Sequence, residues 1–336
     1  MTKIGVLGAG TWGMALARML CVSGHQVTVW SAIEKEIDEF SASRRHPNLP
    51  GMVIPEEVAF TKDIREVCED KEVLLFAVPS PFVRATARKA APYICDGQII
   101  VDVAKGIEAD TMLTMTGIIE SELGNPNVHL VALSGPTHAE EVAKDLPTTI
   151  VSACKDIQVA ERVQQIFGNT CMRVYTNDDV LGVELCGAMK NIIALASGVA
   201  LGLGYGDNTK AALITRGMAE ITRLGEAMGC KAQTFYGLAG IGDLIVTATS
   251  VHSRNNRCGL LIGQGVAPAD AVKQVGMVVE GINALPAAMR LAKKYCVEMP
   301  IVAAADAVVA GRMNAEDAVE RLMRREQKAE QSAGNE

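Results

Sequence analysis

The first half of this 336-residue chain alternates short apolar runs, rich in β-branched residues, with stretches of helical periodicity. Strands that alternate with helices in this way predict an α/β fold with a doubly wound, largely parallel sheet and helices on both faces. Predicted strands span 3–7, 26–30, 73–78, 98–103, 129–133, 148–152 and 172–175. Predicted helices span 11–22, 32–41, 62–69, 81–91, 110–121, 137–143 and 156–167.

The pattern changes near Asn177, and from there apolar residues recur at helical spacing with few strand-like runs. This second pattern predicts an all-α C-terminal domain. Its predicted helices span 179–198, 208–228, 255–265, 268–275, 279–295, 300–309 and 315–326. Asp178 or Asp179 and Asn208 are the expected N-caps, and Gly229 is the expected helix stop. The predicted domains are 1–177 and 178–328, followed by a polar, disordered tail at 329–336.

Composition and charge narrow the function classes. Aromatic residues make up 4% of the chain, the net charge is −7 and the pI is about 5.4, which disfavours nucleic acids and acidic membranes as partners. The nine cysteines are scattered and never spaced CxxC, so we expect neither a zinc site nor a disulfide framework, and a cytoplasmic location. The apolar stretch 191–206 is glycine-rich and makes a poor membrane span. The N-terminal apolar run could pass for a signal peptide, but it carries glycines at 8, 10 and 13 and then Arg18 with no cleavage-like segment, and we interpret it as a strand, a turn and a helix.

A glycine-rich turn, GAGTWG (8–13), follows the first predicted strand and opens a helix. Gly8, Gly10 and Gly13 allow a tight turn and a close approach of the backbone to a pyrophosphate at the helix N-terminus. A GxGxxG motif alone is weak evidence, and a plain helix-start loop is the alternative. Because this one begins a βαβ series, it predicts a Rossmann domain that binds NAD or NADP.

The cofactor preference is left open by the second strand. An acid near its end would bind the ribose 2′-hydroxyl, whereas an arginine would favour a 2′-phosphate. Neither residue type occurs at Ser31 or Ala32. Glu34 and Lys35 argue in opposite directions, and both fit the solvated start of a helix equally well.

Lys190 lies in a helix, 179–198, that is otherwise almost wholly apolar. An ammonium group there is costly unless it is paired or used, and burial lowers its pKa toward the range of a general base. Asp243, within GLAGIGDLIVT (237–247), is the candidate partner because each charge would offset the desolvation of the other.

Three further segments carry polar groups at predicted strand ends or helix starts. Lys105 follows the strand in VDVAKGIE (101–108), where ligands bind in doubly wound sheets; a surface lysine in a turn is the alternative. In SGPTHAEEV (134–142), backbone N–H groups and the Thr137 hydroxyl are placed to hold a small anion, unless Thr137 only caps a helix.

The third segment, SRNNR (253–257), offers a guanidinium for a phosphate. Arg254 with Ser253 and Asn255 predicts a phosphate fork, and the alternative is a solvated loop. Glu280 in MVVEG (277–281) indicates, by itself, only an acid in the first turn of a helix.

Taken together, these segments resemble the bacterial-type NAD(P)-dependent glycerol-3-phosphate dehydrogenases. The resemblance extends to about residue 312 and includes further motifs in the same order. These are NLPGMVIP (48–55), AVPSPFVR (77–84), ALITRGMAEITRL (212–224) and GLAGIGDLIVTATS (237–250).

The resemblance implies reversible reduction of dihydroxyacetone phosphate to sn-glycerol 3-phosphate, the precursor of phospholipid head groups, by a homodimer with no metal. It implies that Lys190 is the proton acceptor, that Lys105 stabilises the reacting oxygen and that Asp243 positions the lysines. The implied substrate-binding residues are Lys105, Gly135, Thr137, Lys190, Asp243, Ser253, Arg254 and Asn255. The implied cofactor-binding residues are Gly8, Gly10, Thr11, Trp12, Gly13, Lys105, Ala139, Arg254, Val278 and Glu280.

One departure from the family pattern concerns the cofactor. Many members carry Arg or His shortly after the second strand, where this chain has Ala32 and Ile33, and the usual argument for NADPH is weakened. Two alternative functions are a reductase of a keto or hydroxy acid of the 2-dehydropantoate type and a non-catalytic dinucleotide sensor. The phosphate fork argues against the first, and the buried lysine argues against the second. The physiological direction, feedback inhibition and oligomeric state do not follow from the residues.

Overall fold

The computed structural model describes residues 1–327 and residue 330; apart from Glu330, the predicted tail at 329–336 lies outside the described residues. Eight strands within the described part form one sheet in the order β3-β2-β1-β4-β5-β6-β7-β8. They are β1 Lys3–Leu7, β2 Gln26–Trp30, β3 Ala59–Thr61, β4 Val73–Phe76, β5 Ile99–Asp102, β6 His129–Ser134, β7 Thr148–Ala153 and β8 Met172–Asn177. All neighbours pair in parallel except β6 and β7. The predicted doubly wound fold is confirmed.

Helices cover both faces of this sheet. One face packs against α1, α2, α6 and α7, and the other packs against α3, α4 and α5. Their bounds are α1 Thr11–Val22, α2 Glu34–Ser43, α3 Ile64–Cys68, α4 Val83–Ala90, α5 Met115–Leu123, α6 Ala139–Val142 and α7 Ile157–Ile166. Along β4, Val73 and Leu75 join the first core while Leu74 and Phe76 join the second, as the two-residue side-chain period of a strand requires.

The remainder of the described chain is helical and has its own apolar core. Its elements are α8 Val180–Gly202, α9 Asp207–Ala227, α10 Ala232–Phe235, α11 Asp243–Thr249, α12 Arg254–Gly263, α13 Pro268–Val275, α14 Glu280–Lys294, α15 Pro300–Val309 and α16 Ala315–Met323. The Asp179 carboxylate caps α8 by accepting from the Gly182 N–H, and Gly229 follows α9 with a positive φ of 89°, as predicted.

Helix α8 is the centre of the helical part. By length and composition it could cross a membrane, but 78% of its most apolar window is buried inside the protein, the pattern of a core helix. Glycines let α8 and α12 approach backbone to backbone: a Cβ at Gly198 would lie 2.1 Å from the Asn256 carbonyl oxygen, and one at Gly259 would lie 2.0 Å from that of Leu195. The contact fixes the spacing of the two helices.

The structure corrects several predicted elements. Strand β3 was missed because its three residues are too few to show a period. The helix predicted at 110–121 begins only at Met115, since Ile107 and Thr114 form a bridge that holds the preceding residues in a loop. Asn208 is not an N-cap, because Gly206 precedes the first residue of α9. Helices α10 and α11 are too short to have been recognised from periodicity.

Candidate active site

The glycine-rich turn connects β1 to α1. It lies where the order of the strands changes direction: β2 and β3 are added on one side of β1, and β4 and β5 on the other. Gly8 has a φ of 120°, and a Cβ there would lie 2.8 Å from the Ala77 carbonyl after β4. A Cβ at Gly13 would lie 2.2 Å from the Gly8 carbonyl oxygen, whereas one at Gly10 would meet nothing within 4 Å. Gly8 therefore allows the tight turn, Gly13 allows the close contact between helix and strand, and Gly10 leaves room for a ligand to approach the backbone. These are the three roles of the glycines in a pyrophosphate site.

The N-terminus of α1 is free to receive an anion. Gly10 is its N-cap, no side chain caps it and its first turn carries no acidic residue. Thr11 and Trp12 are half-buried at this end. Unsatisfied backbone N–H groups and the positive end of the helix dipole favour a phosphate. These residues fit the dinucleotide that the sequence predicts.

The glycines give a matched pair of predictions. We expect Gly13→Ala to destabilise the protein by ~1–3 kcal/mol through overpacking against the Gly8 carbonyl. Gly10→Ala fits the observed φ of −68° and should leave the melting temperature near that of the wild type, while weakening NADH binding about tenfold or more by blocking the approach to the backbone. Thermal unfolding and calorimetric titration with NADH measure both effects. Equal losses of melting temperature in the two variants would contradict this assignment.

A buried ion-pair chain lies beside this edge of the sheet. The Lys190 ammonium donates to Asp243 Oδ1 at 2.6 Å and to Thr247 Oγ1 at 2.6 Å. The Lys105 ammonium donates to Asp243 Oδ2 at 2.7 Å and to the Gly135 carbonyl at 2.9 Å. Asp243 is 1% exposed and Lys190 is 4% exposed. The pairing of Lys190 with Asp243 follows the sequence prediction, and the structure adds Lys105 on the other carboxylate oxygen.

Local sequence explains how Asp243 reaches this position. It begins α11 directly after a π-helical turn, Leu238–Gly242, in which Gly240 has a non-helical backbone. A Cβ at Gly240 would lie 2.1 Å from the Phe235 carbonyl oxygen, so only glycine allows this kink. The kink directs the first carboxylate of α11 into the core, between a lysine from α8 and one from the loop after β5.

Burial sets the acid–base character of Lys190. Desolvation lowers the pKa of its ammonium from the ordinary value to about 7, while the Asp243 carboxylate opposes part of that shift and Lys105 adds to it. A lysine with a pKa near neutrality can both give and take a proton at physiological pH. His138, at the start of α6, also has a lowered pKa because of burial, with smaller contributions from Lys190 and Lys105.

Two polar atoms near these lysines are buried without a hydrogen-bond partner in the described part of the chain, Ser134 Oγ and His138 Nε2. Ser134 ends β6, and the Thr137 hydroxyl donates to the Gly135 carbonyl at 3.1 Å. Thr137 is not a helix cap, because α6 begins at Ala139 with His138 as its N-cap. Orphaned polar groups of this kind suit a polar ligand that would satisfy them.

The third predicted segment lies at the start of α12. Of its three candidates only Arg254 is exposed; Ser253 caps the helix by accepting from the Asn256 N–H. The Asn255 amide donates to Asn191 Oδ1 at 3.0 Å and its oxygen accepts from the Gly281 N–H at 2.8 Å. Asn255 thereby ties α12 to α8, next to Lys190, and to the start of α14.

Glu280 links the helical part to the Rossmann part. It is the first residue of α14, as predicted, and its two carboxylate oxygens accept from the Ser80 N–H and hydroxyl at 3.1 and 2.5 Å. Burial raises the pKa of Glu280, and the nearby Arg254 charge opposes that shift. Val278 is half-buried just before α14. Ser80, which bonds Glu280 across the two parts, and Thr247, which bonds Lys190 within the helical part, were missed, because a hydroxyl residue does not by itself indicate its partner.

The arrangement can move a proton beside a bound dinucleotide. It joins an open pyrophosphate turn, a buried lysine with a pKa of about 7 and an exposed arginine on the neighbouring helix. Among the described residues, no group of three or more His, Cys, Asp and Glu side chains is arranged to hold a metal ion. The fold and this site define a dehydrogenase that uses a nicotinamide dinucleotide, with a Rossmann domain followed by a helical domain.

Comparison with known proteins narrows this class. Residues 3–160 match the family model described as NAD-dependent glycerol-3-phosphate dehydrogenase N-terminus, and residues 179–320 match the corresponding C-terminus. The chain therefore belongs to the NAD-dependent glycerol-3-phosphate dehydrogenase family. Membership confirms the resemblance found in the sequence, together with the expectation of an enzyme that uses NAD or NADP.

Individual relatives agree. A protein of Lactobacillus delbrueckii subsp. bulgaricus, named glycerol-3-phosphate dehydrogenase (NAD(P)+) 2, is 67% identical over 98% of this chain and 99% of its own length. A crystal structure of glycerol-3-phosphate dehydrogenase from Coxiella burnetii superposes with a TM-score of 0.92 at 36% identity, covering 96% of this chain and 99% of its own. A ketopantoate reductase from Ralstonia eutropha reaches 0.62 at 17% identity, over 94% of this chain and 99% of its own, which shows a shared fold alone.

Proposed function

We propose that this chain transfers a hydride reversibly between NADH or NADPH and dihydroxyacetone phosphate, giving sn-glycerol 3-phosphate for glycerophospholipid synthesis. The observation that carries the proposal is the buried chain of Lys190, Asp243 and Lys105 beside an open dinucleotide turn. When bound, the dinucleotide supplies or accepts the hydride. The residues of the chain bind and orient the substrate and move the proton.

Lys190 is the proposed proton donor in reduction and the acceptor in oxidation. Its ammonium is held by Asp243 and Thr247, so one side of the group is fixed while a proton remains for the substrate oxygen. A pKa of about 7 makes both directions accessible near neutral pH.

Lys105 and Asp243 have supporting roles in this proposal. The Lys105 ammonium, held by Asp243, is placed beside the site where the carbonyl oxygen becomes an alkoxide, and a preorganised cation stabilises such charge. Asp243 accepts from both ammonium groups through different oxygens, which sets their separation. Gly135, through its carbonyl, fixes Lys105 from the other side.

Arg254 is the proposed anchor for the substrate phosphate. Its exposed guanidinium stands one residue from Asn255, which is bonded to Asn191, and Asn191 adjoins Lys190. Through these residues the position of Arg254, which would bind the substrate phosphate, is fixed relative to Lys190, which would transfer the proton. Binding the remote phosphate therefore orients the reacting carbon. Backbone at Ser253 and the Thr137 segment complete the proposed substrate site.

The reaction is tested directly by following oxidation of NADH and, in parallel, NADPH in the presence of dihydroxyacetone phosphate. Turnover with this substrate supports the proposal. Turnover with a 2-dehydropantoate-type acid in its place would favour the keto-acid reductase instead. Binding of a dinucleotide without turnover of either substrate would favour a sensor.

Substituting the proposed phosphate anchor has a specific expected result. Arg254→Ala should raise the KM for dihydroxyacetone phosphate by about 10–100-fold, since a charge-assisted contact contributes ~1.5–3 kcal/mol. The weak activity expected with unphosphorylated dihydroxyacetone should be the same in variant and wild type. Arg257→Ala, which removes another exposed arginine of α12, is the control and should leave KM unchanged. An unchanged KM in Arg254→Ala would remove Arg254 from the site.

We also propose the domain limits 1–177 and 178–328, a homodimer and a cytoplasmic location. The ends of β8 and the start of α8, at Asn177 and Val180, support the boundary. The dimer rests on the family resemblance, and the location rests on the scattered cysteines of the sequence. Limited proteolysis, light scattering and cell fractionation test these three expectations.

A further inference from the structure

The end of β2 is joined directly to the glycine-rich turn. The Gly8 N–H donates to the Trp30 carbonyl at 2.8 Å, so the last residue of β2 and the first glycine of the turn move together. In Rossmann domains the residue that contacts the adenosine ribose lies at this strand end. Ser31, which follows Trp30, is 5% exposed and offers no charge.

A carboxylate nevertheless reaches this position from α2. The Ser31 hydroxyl donates to Glu36 Oε2 at 2.6 Å and accepts from the Ile33 N–H at 3.1 Å. Glu36 lies in the first turn of α2 and is half-buried, while its neighbours Glu34 and Lys35 are exposed. The hydrogen bond therefore holds one carboxylate of this helix against the strand end instead of in open solvent.

His46 lies in the same region. Its ring is 6% exposed and lies 5.0 Å from the Phe40 ring of α2. Burial lowers the pKa of His46, and the charge of Glu36 and the backbone of Ala9 oppose that shift. Ala9 is within the glycine-rich turn. Glu36 and Ser31 thus form a hydrogen-bonded pair at the end of β2, and His46 is near enough for the charge of Glu36 to affect its pKa.

Most nearby cations already have acidic or carbonyl partners. Lys62 pairs with Asp38 at 2.8 Å, and Lys35 pairs with Glu39 at 3.5 Å. Arg44 donates to two loop carbonyls, those of Pro55 and Val58. Two exposed cations near this strand end have no ion-pair partner in the described part of the chain: Arg45, on the loop after α2, and Lys89 of α4, whose ammonium lies 5.1 Å from the centroid of the Trp30 ring. The Glu36 carboxylate, in contrast, is held at the strand end by its hydrogen bond to Ser31.

We propose that Glu36, held by Ser31 at the end of β2, makes this chain select NADH over NADPH. The carboxylate can accept a hydrogen bond from the ribose 2′-hydroxyl of NADH, and it repels the 2′-phosphate of NADPH. The inference rests on the dinucleotide site of the proposed function and goes beyond it, because it assigns the cofactor preference to one side chain.

Calorimetric titration of NADH and NADPH into the wild type, Glu36→Gln and Glu39→Gln tests the proposal without requiring turnover. Glutamine can still accept from Ser31, so this variant removes the charge and keeps the packing. Glu39, on the same helix, pairs with exposed Lys35 and with no other cation in the described part of the chain, and it serves as the matched control. We expect NADH to bind the wild type about tenfold or more tightly than NADPH. Glu36→Gln should reduce that ratio at least about threefold, and Glu39→Gln should leave it unchanged.

Ala32→Arg should move the preference toward NADPH, because it places a guanidinium where an arginine binds a 2′-phosphate. Equal or tighter NADPH binding by the wild type would overturn the proposal, as would an unchanged ratio in Glu36→Gln. A preference for NADPH that Arg45→Gln abolishes would assign the selection to that arginine. Failure to bind either dinucleotide would overturn both proposals, whereas binding with the expected ratio but no turnover would contradict only the reaction.

Discussion

Replacing Lys190 by alanine is expected to lower kcat for reduction of dihydroxyacetone phosphate by ~10³-fold, within the ~10²–10⁴-fold range of general acid–base catalysis. The Kd for NADH should stay within about twofold, because Lys190 contacts Asp243 and Thr247 and not the glycine-rich turn. Steady-state kinetics and calorimetric titration on the same preparation measure the two quantities.

The dependence of the wild-type reaction rates on pH is a second test of Lys190 as the proton-transferring group. The pKa of Lys190 is lowered to about 7 by burial. Reduction needs the protonated ammonium, so its rate should fall as pH rises through about 7. Oxidation of glycerol 3-phosphate needs the neutral amine, so its rate should rise over the same interval. The Lys190→Ala variant should lose both inflections.

Lys273→Ala is a suitable control for this experiment. Its ammonium is exposed and, among the described residues, pairs with Asp270 alone, on the same helix, so kinetics and pH profile should match those of the wild type. If Lys190→Ala retained turnover, or lost NADH affinity while turnover continued, Lys190 would not be the proton-transferring group.

Asp243→Asn should lower the free energy of unfolding by ~3–5 kcal/mol, the penalty for breaking a buried ion pair by removing one partner. Asparagine keeps the shape, but it leaves the Lys190 and Lys105 ammonium groups without the carboxylate that each of them contacts. Urea denaturation measures the loss. Because Asp243 holds the pKa of Lys190 up against burial, any remaining activity in the oxidation direction should have its inflection at a lower pH than in the wild type.

An exposed ion pair provides the comparison for Asp243. Asp270→Asn breaks the contact with Lys273, and its expected cost is about 0–1 kcal/mol, as for surface pairs generally. If Asp243→Asn were as mild as this control, the contacts of buried Asp243 with the two lysines would contribute little to the fold, and the role of Asp243 in positioning the lysines would be contradicted.

The sequence predicts those features that depend on neighbours along the chain. The glycine-rich turn, the alternation of strands and helices and the capping of α8 by Asp179 are local patterns with local physical causes. The pairing of Lys190 with Asp243 was also predictable, although 53 residues separate them. Each is a charge in an apolar segment, and each requires a partner of opposite sign.

Features that depend on three-dimensional proximity could not be predicted in the same way. Thr247 and Ser80 are ordinary hydroxyl residues, and nothing in their local sequence indicates that Lys190 or Glu280 lies beside them. Glu36 was passed over for Glu34 and Lys35, which are nearer to β2 along the chain. The structure places Glu36 nearer in space because the first turn of α2 brings its carboxylate back to Ser31. Periodicity predicts helix in the loop before α5, because it carries no information about the bridge between Ile107 and Thr114.

The contact between α8 and α12 has a consequence for how this enzyme can diverge. Main-chain atoms, at Gly198 and Gly259, set how far apart the two helices lie. Helix α8 carries Lys190, the proposed proton-transferring residue, and α12 carries Arg254, the proposed phosphate anchor. In this proposal the spacing of the two helices sets the distance between the two groups, and with it the length of substrate that fits. Side-chain changes around the cleft can alter the affinity for a three-carbon phosphate without altering that length. Acceptance of a longer or shorter substrate would require the two backbones to separate or slide, and a single added methyl group at either glycine would disturb both functions together.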